Sequence, residues 1–399
     1  MSGPKPVPVA QARAHVLVKQ GLAGDGLVGV ADAVAATAGI YGTAPTCYLS
    51  CAARIGRFRL ADLDKELYDR RSVVRLRCMR GMSYVEPLDL LPALAACTGE
   101  APDKTLKRVA KYGGLTEEQV LALAGRVEEA MAGRPPLTLR EIRELLGDDV
   151  PGGKAALQMT VALLGRTGRI VRSEVRGSWR SDNYAYARWQ DWLGGPLQKL
   201  EPDAGRVEVA RRYLRAVGPA TTDDLKWWSG WTKREAAAAI AALGEELVAV
   251  SLDGGAAWVA AGELDRLTGT DPDEGRGVRL LPVWDAYFMA YATSPAGRER
   301  QVAKADYGRV YDKSGNGTST VTVDGVAAGV WELDPDAGSA TVAPFGKALA
   351  GRWDDLEAQV ARLAEAIGVE LRLHRAARPG NLADGPRNAY LAPISLGKG

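Results

Sequence analysis

The chain has 399 residues, of which 46% are hydrophobic and 25% are charged, and its 51 lysines and arginines nearly balance its 49 aspartates and glutamates. This length predicts two to four packed domains, and a net charge of +2 excludes a basic surface spread over the whole protein. The two histidines, His15 and His374, lie far apart in the chain, which argues against a histidine-rich metal site and against a Ser-His-Asp triad.

The spacing of the cysteines and the shortness of the apolar segments indicate a protein of a reducing compartment. Cys47, Cys51, Cys78 and Cys97 form no Cys-x-x-Cys pair, so neither a zinc ribbon nor a thioredoxin-type motif is expected. We interpret them as reduced thiols in the core. The N-terminal segment lacks an apolar signal region, and no stretch approaches the length of about 18 apolar residues that a membrane span needs. We expect a cytoplasmic protein with no membrane partner.

The first predicted domain, residues 1–112, contains a helix, a short strand at 73–78, a turn at Gly81 and a second helix after Pro87. Between residues 54 and 80, nine basic and four acidic residues give a local charge of +5, which exceeds that of the whole chain. Such a basic stripe is typical either of a solvated face or of a surface that contacts phosphates.

The second predicted domain, residues 113–195, carries the clearest pattern: a short helix capped by Thr138, a longer helix ended by Gly168, and two strands joined by a polar loop. Helix, turn, helix and hairpin is the order of a winged helix, in which the second helix enters a major groove and the loop reaches the backbone or the minor groove. Residues 166–188 contain six arginines against two acidic residues, so the charge lies where this geometry needs it.

The rest of the chain repeats this order once and then changes character. Residues 200–268 contain a threonine-capped helix beginning near Thr222 and a short, nearly uncharged hairpin with an Asp-Gly-Gly turn, which fits a structural role. After a linker at 269–277, residues 278–399 show short strands, turns and a closing helix, typical of a small barrel or sheet. The sequence therefore predicts an α+β fold of tandem winged-helix units with a C-terminal small β-barrel.

Five phrases follow one another along most of the chain: CMRGMSYVEPLDL, VARRYLRAVGPATTDDLKWWSG, VRLLPVWDAYFMAY, VTVDGVAAGVWEL and VAPFG. In this order and at these separations they resemble the winged-helix superfamily of bacterial alkylpurine DNA glycosylases, the AlkZ and YcaQ group, over residues 11–368. The resemblance implies three tandem winged-helix units and a β-barrel that bend around duplex DNA. It also implies removal of bulky or cross-linking N7-alkylpurine adducts, which in several members confers self-resistance within antibiotic gene clusters.

Two active-site positions depart from the pattern of that superfamily. Its members usually carry a Gln-apolar-Gln or Gln-apolar-Asp motif where an ungapped placement puts Tyr41, Gly42 and Thr43, so both catalytic amides are missing. Its Met-Arg-Gly-Thr-x-His phrase is matched by residues 79–84, so Tyr84 replaces the histidine. As alternatives, Tyr41 packs near a turn, Thr43 caps the following helix, and Tyr84 is a core residue with its hydroxyl at the surface.

The missing amides do not exclude hydrolysis. A purine alkylated at N7 is already cationic and leaves without a general acid, so the enzyme has to place water and stabilise charge, and hydroxyl groups can form the hydrogen bonds. A carboxylate is also expected nearby, and Glu86 and Asp285 are the candidates, with a helix cap or an ion pair as the alternative role for each. We predict Tyr41, Thr43, Tyr84 and Asp285 as catalytic residues in an open cleft, with no metal or organic cofactor.

The expected partner is double-stranded DNA that carries a bulky adduct. We expect a monomeric, monofunctional DNA glycosylase that hydrolyses the N-glycosidic bond of bulky N7-alkylguanine adducts, including intercalated antibiotics, and so gives self-resistance to a genotoxic natural product. The alternatives are a catalytically inactive winged-helix DNA-binding protein, acting as a regulator or damage shield, and a protein-binding scaffold. The predicted DNA contacts come from the basic stripe and the second domain: Arg75, Arg77, Arg80, Lys154, Gln158, Arg166, Arg176, Trp179 and Arg180.

Overall fold

The computed structural model describes residues 3–98, 102–147, 149–195, 197–198, 200–294, 297–312 and 315–376. Within these ranges, no helix combines the length and the apolar character that crossing a membrane requires. The described residues of Met1–Glu66 and Ala210–Gly399 form one compact unit, called here the first unit, and those of Leu67–Val209 form the second unit. The four predicted domains divide the chain differently, and their boundaries stay a prediction.

Helices occur throughout both units. In chain order, the α-helices of the described residues are α1 (Val9–Lys19), α2 (Val30–Ala35), α3 (Thr46–Arg54), α4 (Leu60–Asp64), α5 (Leu91–Cys97), α6 (Pro102–Gly113), α7 (Glu117–Met131), α8 (Leu139–Leu146), α9 (Gly153–Arg166), α10 (Trp189–Leu193), α11 (Pro202–Val217), α12 (Thr222–Ser229), α13 (Lys233–Leu243), α14 (Leu264–Gly269), α15 (Ala286–Met289), α16 (Tyr307–Val310) and α17 (Trp353–Ile367).

The strands are short, which is typical of mixed α+β folds. Those of the described residues are β1 (Lys5–Val7), β2 (Ile40–Tyr41), β3 (Val73–Arg77), β4 (Ser83–Pro87), β5 (Leu137–Thr138), β6 (Ile170–Val175), β7 (Tyr184–Arg188), β8 (Leu247–Leu252), β9 (Gly255–Ala260), β10 (Val278–Leu281), β11 (Thr320–Val323), β12 (Val326–Asp334), β13 (Ser339–Pro344) and β14 (Arg372–Arg375). In the second unit, β7 lies between β5 and β6.

The helices and the hairpin predicted for residues 113–195 are confirmed, and local signals explain them. Thr138 caps α8: its hydroxyl accepts a hydrogen bond from the backbone N–H of Glu141, whose carboxylate accepts one from the backbone of Thr138. Gly168, at a positive φ of 67°, follows the end of α9 and lets the chain turn into β6. Apolar side chains of α7, α8, α9 and β6 form one core, which fixes these elements against each other.

The strand and the second helix predicted for the first domain are confirmed as β3 and as α5, which begins at Leu91. Between them lies a strand that was not predicted from the sequence: Ser83–Pro87 forms β4, which pairs antiparallel with β3. The turn between these strands places Arg80 and Gly81 at φ values of 54° and 70°, a conformation that glycine favours and arginine rarely adopts. Strand β4 has only five residues and ends in proline, so its sequence alone gives little signal.

Two sheets are formed entirely by described residues of the first unit. Strand β8 pairs with β1 in parallel and with β9 through a tight turn at Asp253 and Gly254, both at positive φ, as the Asp-Gly-Gly sequence predicts. Strands β10 to β14 form a five-stranded sheet in chain order, and β10 and β14 are its two edges among the described residues. The sheet is therefore open there, and the predicted small barrel is not confirmed.

The segment after β10 also differs from the predicted strand. The phrase VRLLPVWDAYFMAY begins as β10, but Asp285 then caps the short helix α15 by accepting a hydrogen bond from the backbone N–H of Tyr287. Tyr287 and Phe288 enter the apolar core that β10, β12 and α1 share.

The four cysteines are buried and form no disulfide, as predicted. Burial raises the pKa of Cys97 to about 12.

A buried histidine in α1 makes stability depend on pH. Burial, reinforced by the positive charges of Lys19 and Arg266, lowers the pKa of His15 from 6.5 to about 3. Lys19 donates to its ring nitrogen at 3.3 Å, and Glu263 lies 3.5 Å from the same nitrogen. Between pH 6.5 and about 3, His15 therefore binds a proton in the unfolded chain but stays neutral in the folded protein.

We expect the free energy of unfolding to fall by up to about 1.4 kcal/mol for each pH unit below 6.5 because of this one group. Above pH 6.5 both states carry a neutral His15, so the effect vanishes there. Urea unfolding at pH 7, 6, 5 and 4 measures this slope, which His15→Gln should flatten. His374→Gln, at an exposed site on β14, is the matched control and should leave the slope unchanged. Equal slopes in the wild type and His15→Gln would contradict this assignment.

Candidate catalytic segment and nucleic-acid interface

The segment predicted to replace the catalytic amides lies in the first unit, between β2 and α3. Tyr41 ends β2, is 3% exposed, and packs its ring on Trp284 with 5.0 Å between ring centroids and a 30° tilt. Trp284 has a φ of 56°, which is strained for a residue with a bulky side chain. Two aromatic rings thus form one platform beside Gly42 and Thr43.

Thr43 does not cap α3. The N-cap of that helix is Pro45, and the described residues supply no side-chain capping hydrogen bond to it. The backbone carbonyl of Thr43 accepts a hydrogen bond from Cys47 at 3.0 Å, but its buried hydroxyl has no hydrogen-bond partner among the described residues. A buried hydroxyl without a partner is costly, so this atom is a candidate for binding water or substrate.

Asp285 is enclosed and holds a buried arginine. Its carboxylate accepts two hydrogen bonds from the Arg54 guanidinium at 2.7 and 2.8 Å, one from the Ser50 hydroxyl at 2.9 Å and one from the backbone N–H of Tyr287 at 2.9 Å. Both charged side chains are 0% exposed. A carboxylate has about four acceptor positions, and these four donors fill them. Through these hydrogen bonds Asp285 holds α3 against α15, and its carboxylate has no acceptor position left for a water molecule.

Sequence reasoning placed Arg54 in the basic stripe, and the structure places it in the interior of the first unit. Its Nη1 also donates to the carbonyl of Ser50 at 3.1 Å, so one turn of α3 supplies both residues that bind Asp285. The i, i+4 spacing of Ser50 and Arg54 puts them on one helix face, and this was the available signal. The stripe is therefore less basic at its surface than its local charge of +5 indicates.

Tyr84 and Glu86 lie in the second unit, on β4. Both are buried, at 4% and 3% exposure, and they face Leu76 and Val74 across the hairpin. Burial and the nearby Glu86 carboxylate raise the pKa of the Cys78 thiol well above its usual range. Tyr84 thus occupies the core position that the alternative interpretation described, and a direct catalytic role for it stays a prediction.

The predicted DNA contacts in the second unit differ in exposure. Arg80, Lys154 and Gln158 are exposed, while Arg77 and Arg166 are half-buried. Gly81 of the β3–β4 turn lies beside α9, since a Cβ atom added there would be 3.9 Å from the guanidinium of Arg166.

Arg77 steadies the same turn by donating to the carbonyl of Gly81 at 3.2 Å. Arg75, in contrast, is 1% exposed and donates to the Tyr68 hydroxyl at 2.9 Å, so it supports the unit from inside.

The loop between β6 and β7 carries the remaining predicted contacts. Arg176 is exposed and pairs with Glu174 at 2.9 Å, while Trp179 and Arg180 are half-buried. The backbone of Arg176 bonds to Asn183 at 2.7 Å, which closes the loop at its base. Helix α9, the β3–β4 turn and this loop therefore present cationic side chains on three neighbouring elements of the second unit, a pattern suited to a phosphate backbone.

Nothing in the described residues brings together three or more His, Cys, Asp or Glu side chains that could hold a metal ion.

Comparison with known proteins relates the chain to a DNA repair glycosylase. Over 183 residues it is 28% identical to an interstrand DNA cross-link repair glycosylase of Streptomyces sahachiroi, and this alignment covers 45% of the chain and 46% of that protein. The chain thus matches about half the length of this curated relative.

A solved structure extends the likeness in fold. The DNA glycosylase AlkZ of Streptomyces sahachiroi matches 93% of this chain and 100% of its own with a TM-score of 0.75, at 21% sequence identity. At that identity the match shows a shared mixed α+β fold. The sequence model of the family described as DNA glycosylase AlkZ-like matches residues 14–366, which is most of the chain. The chain therefore belongs to the AlkZ-like DNA glycosylase family.

Proposed function

We propose that the protein is a DNA glycosylase that hydrolyses the N-glycosidic bond of bulky N7-alkylguanine adducts in double-stranded DNA. The observation that carries this proposal is the combination of family membership with exposed basic side chains on α9 and on the β3–β4 turn. Because one relative is named an interstrand DNA cross-link repair glycosylase, a cross-linked duplex is a second substrate to test. Self-resistance to a genotoxic natural product, a monomeric state and a cytoplasmic location belong to the same proposal.

The order of elements in the second unit supports a winged-helix interpretation. Helices α7, α8 and α9 are followed by the β6–β7 hairpin, and β5 completes a three-stranded sheet. Helix α9 would then lie in the major groove, with the 176–183 loop on the backbone or minor groove. Helices α12 and α13 with the β8–β9 hairpin repeat this order in the first unit, and that hairpin is nearly uncharged, which supports a structural role.

The proposed chemistry uses the positive charge of the substrate. An N7-alkylated purine leaves as a neutral base, so the protein's groups have to position water and stabilise charge at the sugar. The Thr43 hydroxyl is our candidate for holding that water, because it is buried beside the Tyr41–Trp284 platform and has no hydrogen-bond partner among the described residues. Trp284 is half-buried, so its ring, backed by the buried ring of Tyr41, is the part of this platform that we propose to contact a planar adduct. Asp285 acts as a positioning residue through Arg54.

One observation favours a second candidate, a catalytically silent DNA-binding protein. All four acceptor positions of Asp285 are occupied, so the first unit offers no carboxylate oxygen of this residue for water activation. Incubating the protein with duplexes that carry N7-methylguanine, a bulky N7-guanine adduct or an interstrand cross-link, and scoring abasic sites, separates the two. Release of the base supports the glycosylase, and tight binding with no release from any substrate supports the silent protein.

We expect Thr43→Val, which keeps the shape of the side chain and removes the hydroxyl, to lower the single-turnover rate of base release about 100-fold. Affinity for the adducted duplex should change little, because the hydroxyl acts on water and not on DNA. Thr43→Ser retains a hydroxyl and serves as the matched control, with a rate within a few-fold of wild type. Equal rates for Thr43→Val and the wild type would remove Thr43 from the mechanism.

A further inference from the structure

The second unit contains a cavity of about 250 Å³ among β3, α9 and the β6–β7 hairpin. Its apolar wall includes Tyr184 and Trp189, and its polar groups include Gln158, Arg172 and Asn183. Pockets that enclose drug-sized ligands usually measure about 300–1,000 Å³. This cavity therefore suits one planar ring system better than a whole bulky adduct.

Arg172 differs from the other arginines of the hairpin. Arg169, Arg176 and Arg188 each pair with a carboxylate. Arg172 has no carboxylate within 4.0 Å among the described residues, and its guanidinium lies 4.4 Å from the centroid of the Tyr184 ring. One face of the guanidinium rests on that ring, so its other face and its N–H groups are left for a ligand.

Two features hold Arg172 in this position. The buried guanidinium of Arg75 lies 5.1 Å from the centroid of the Tyr184 ring and so helps to fix the ring under Arg172. The pairing of β6 with β7 also shifts register between Arg172 and Glu174, which leaves Ser173 as a bulge. Bulges redirect neighbouring side chains and are common next to functional sites.

We propose that this cavity receives one unpaired nucleobase of the bound DNA, stacked on the Arg172 guanidinium. Guanidinium planes stack on bases, and the amides of Gln158 and Asn183 can form hydrogen bonds with a base edge. The cationic Arg172 also suits the phosphate that accompanies the base. This inference rests on the proposed DNA-binding function and adds to it a pocket for a displaced base, separate from the Tyr41–Trp284 platform.

Three duplexes of one sequence test it: one fully paired, one with a single extra adenosine, and one with a single extra tetrahydrofuran abasic nucleotide. Stacking of one base on a side-chain plane tightens binding on the order of tenfold. We therefore expect the wild type to bind the adenosine bulge about tenfold more tightly than the abasic bulge. Arg172→Ala should reduce this ratio to about one, and so should Arg172→Lys, which keeps the charge and lacks the plane.

Arg176→Ala is the matched control on the same hairpin, and it should weaken binding to all three duplexes while keeping the ratio. Equal binding of the two bulged duplexes by the wild type, with normal salt-dependent affinity, would overturn the base pocket and leave the proposed function standing. A ratio that persists in both Arg172 variants would overturn it as well. If no duplex binds at all, the pocket and the proposed function both fail.

Discussion

Replacing Asp285 with asparagine is expected to lower the free energy of unfolding by about 3–5 kcal/mol. Asparagine keeps the shape of the side chain but removes the charge that neutralises Arg54, whose guanidinium is fully buried. The Arg54 cation would then lie in the interior without a counter-charge, and transfer of such a charge from water is very unfavourable. Domains are typically stable by about 5–15 kcal/mol, so this variant should unfold at a much lower urea concentration.

Two further variants show whether burial is the cause. Asp223→Asn breaks an exposed pair with Lys233, whose two side chains are 57% and 67% exposed, and should cost less than about 1 kcal/mol. Arg54→Met combined with Asp285→Asn removes both charges and should cost much less than the sum of the two single variants. If Asp285→Asn were as mild as Asp223→Asn, the buried pair would not support the fold in this way.

The same experiment separates structure from catalysis at Asp285. If Asp285 is a positioning residue, Asp285→Asn should lower the rate of base release in proportion to the loss of folded protein or to the displacement of α3. If Asp285 is a catalytic carboxylate, the same substitution should abolish base release in protein that remains folded. Measuring the rate at a temperature where Asp285→Asn is still fully folded therefore tests the role predicted from the sequence against the role that its four hydrogen bonds indicate.

The elements of the second unit could be predicted because their signals are local. Thr138 and Glu141 are three residues apart and form the capping box themselves, and Gly168 ends α9 through its own backbone freedom. Strand β4 could not be predicted, because its five residues become a strand by pairing with β3. The open edge of the β10–β14 sheet is also set by tertiary packing, which turn residues do not reveal.

The candidate site shows the same division. The placement of Tyr41 and Thr43 came from resemblance, and the sequence gives no sign that Tyr41 packs on Trp284. Arg54 and Asp285 are 231 residues apart, so no local pattern joins them, and counting charge along the chain assigned Arg54 to the surface. Arg75 was assigned to the surface for the same reason. Charge counts measure composition, while exposure depends on contacts between distant segments.

Removing three cationic side chains from the second unit is expected to change the salt dependence of DNA binding more than any single substitution. Arg80, Lys154 and Arg166 lie on the β3–β4 turn and on α9, where we propose phosphate contacts. Each contact contributes about 0.9 to the slope of log affinity against log salt concentration. The triple alanine variant should therefore lose about 2.7 from that slope. A fourfold rise in salt concentration should then weaken DNA binding by the variant about 40-fold less than DNA binding by the wild type.

Gln158→Ala is the matched control for this measurement, since Gln158 is exposed on α9 one turn after Lys154 and carries no charge. It should change affinity without changing the slope. The triple variant should also weaken binding to adducted and undamaged duplexes about equally, because phosphate contacts carry no information about the base. Fluorescence anisotropy from 50 to 200 mM salt gives both quantities. An unchanged slope in the triple variant would move the DNA interface away from α9, and a loss confined to the adducted duplex would assign these residues to lesion recognition instead.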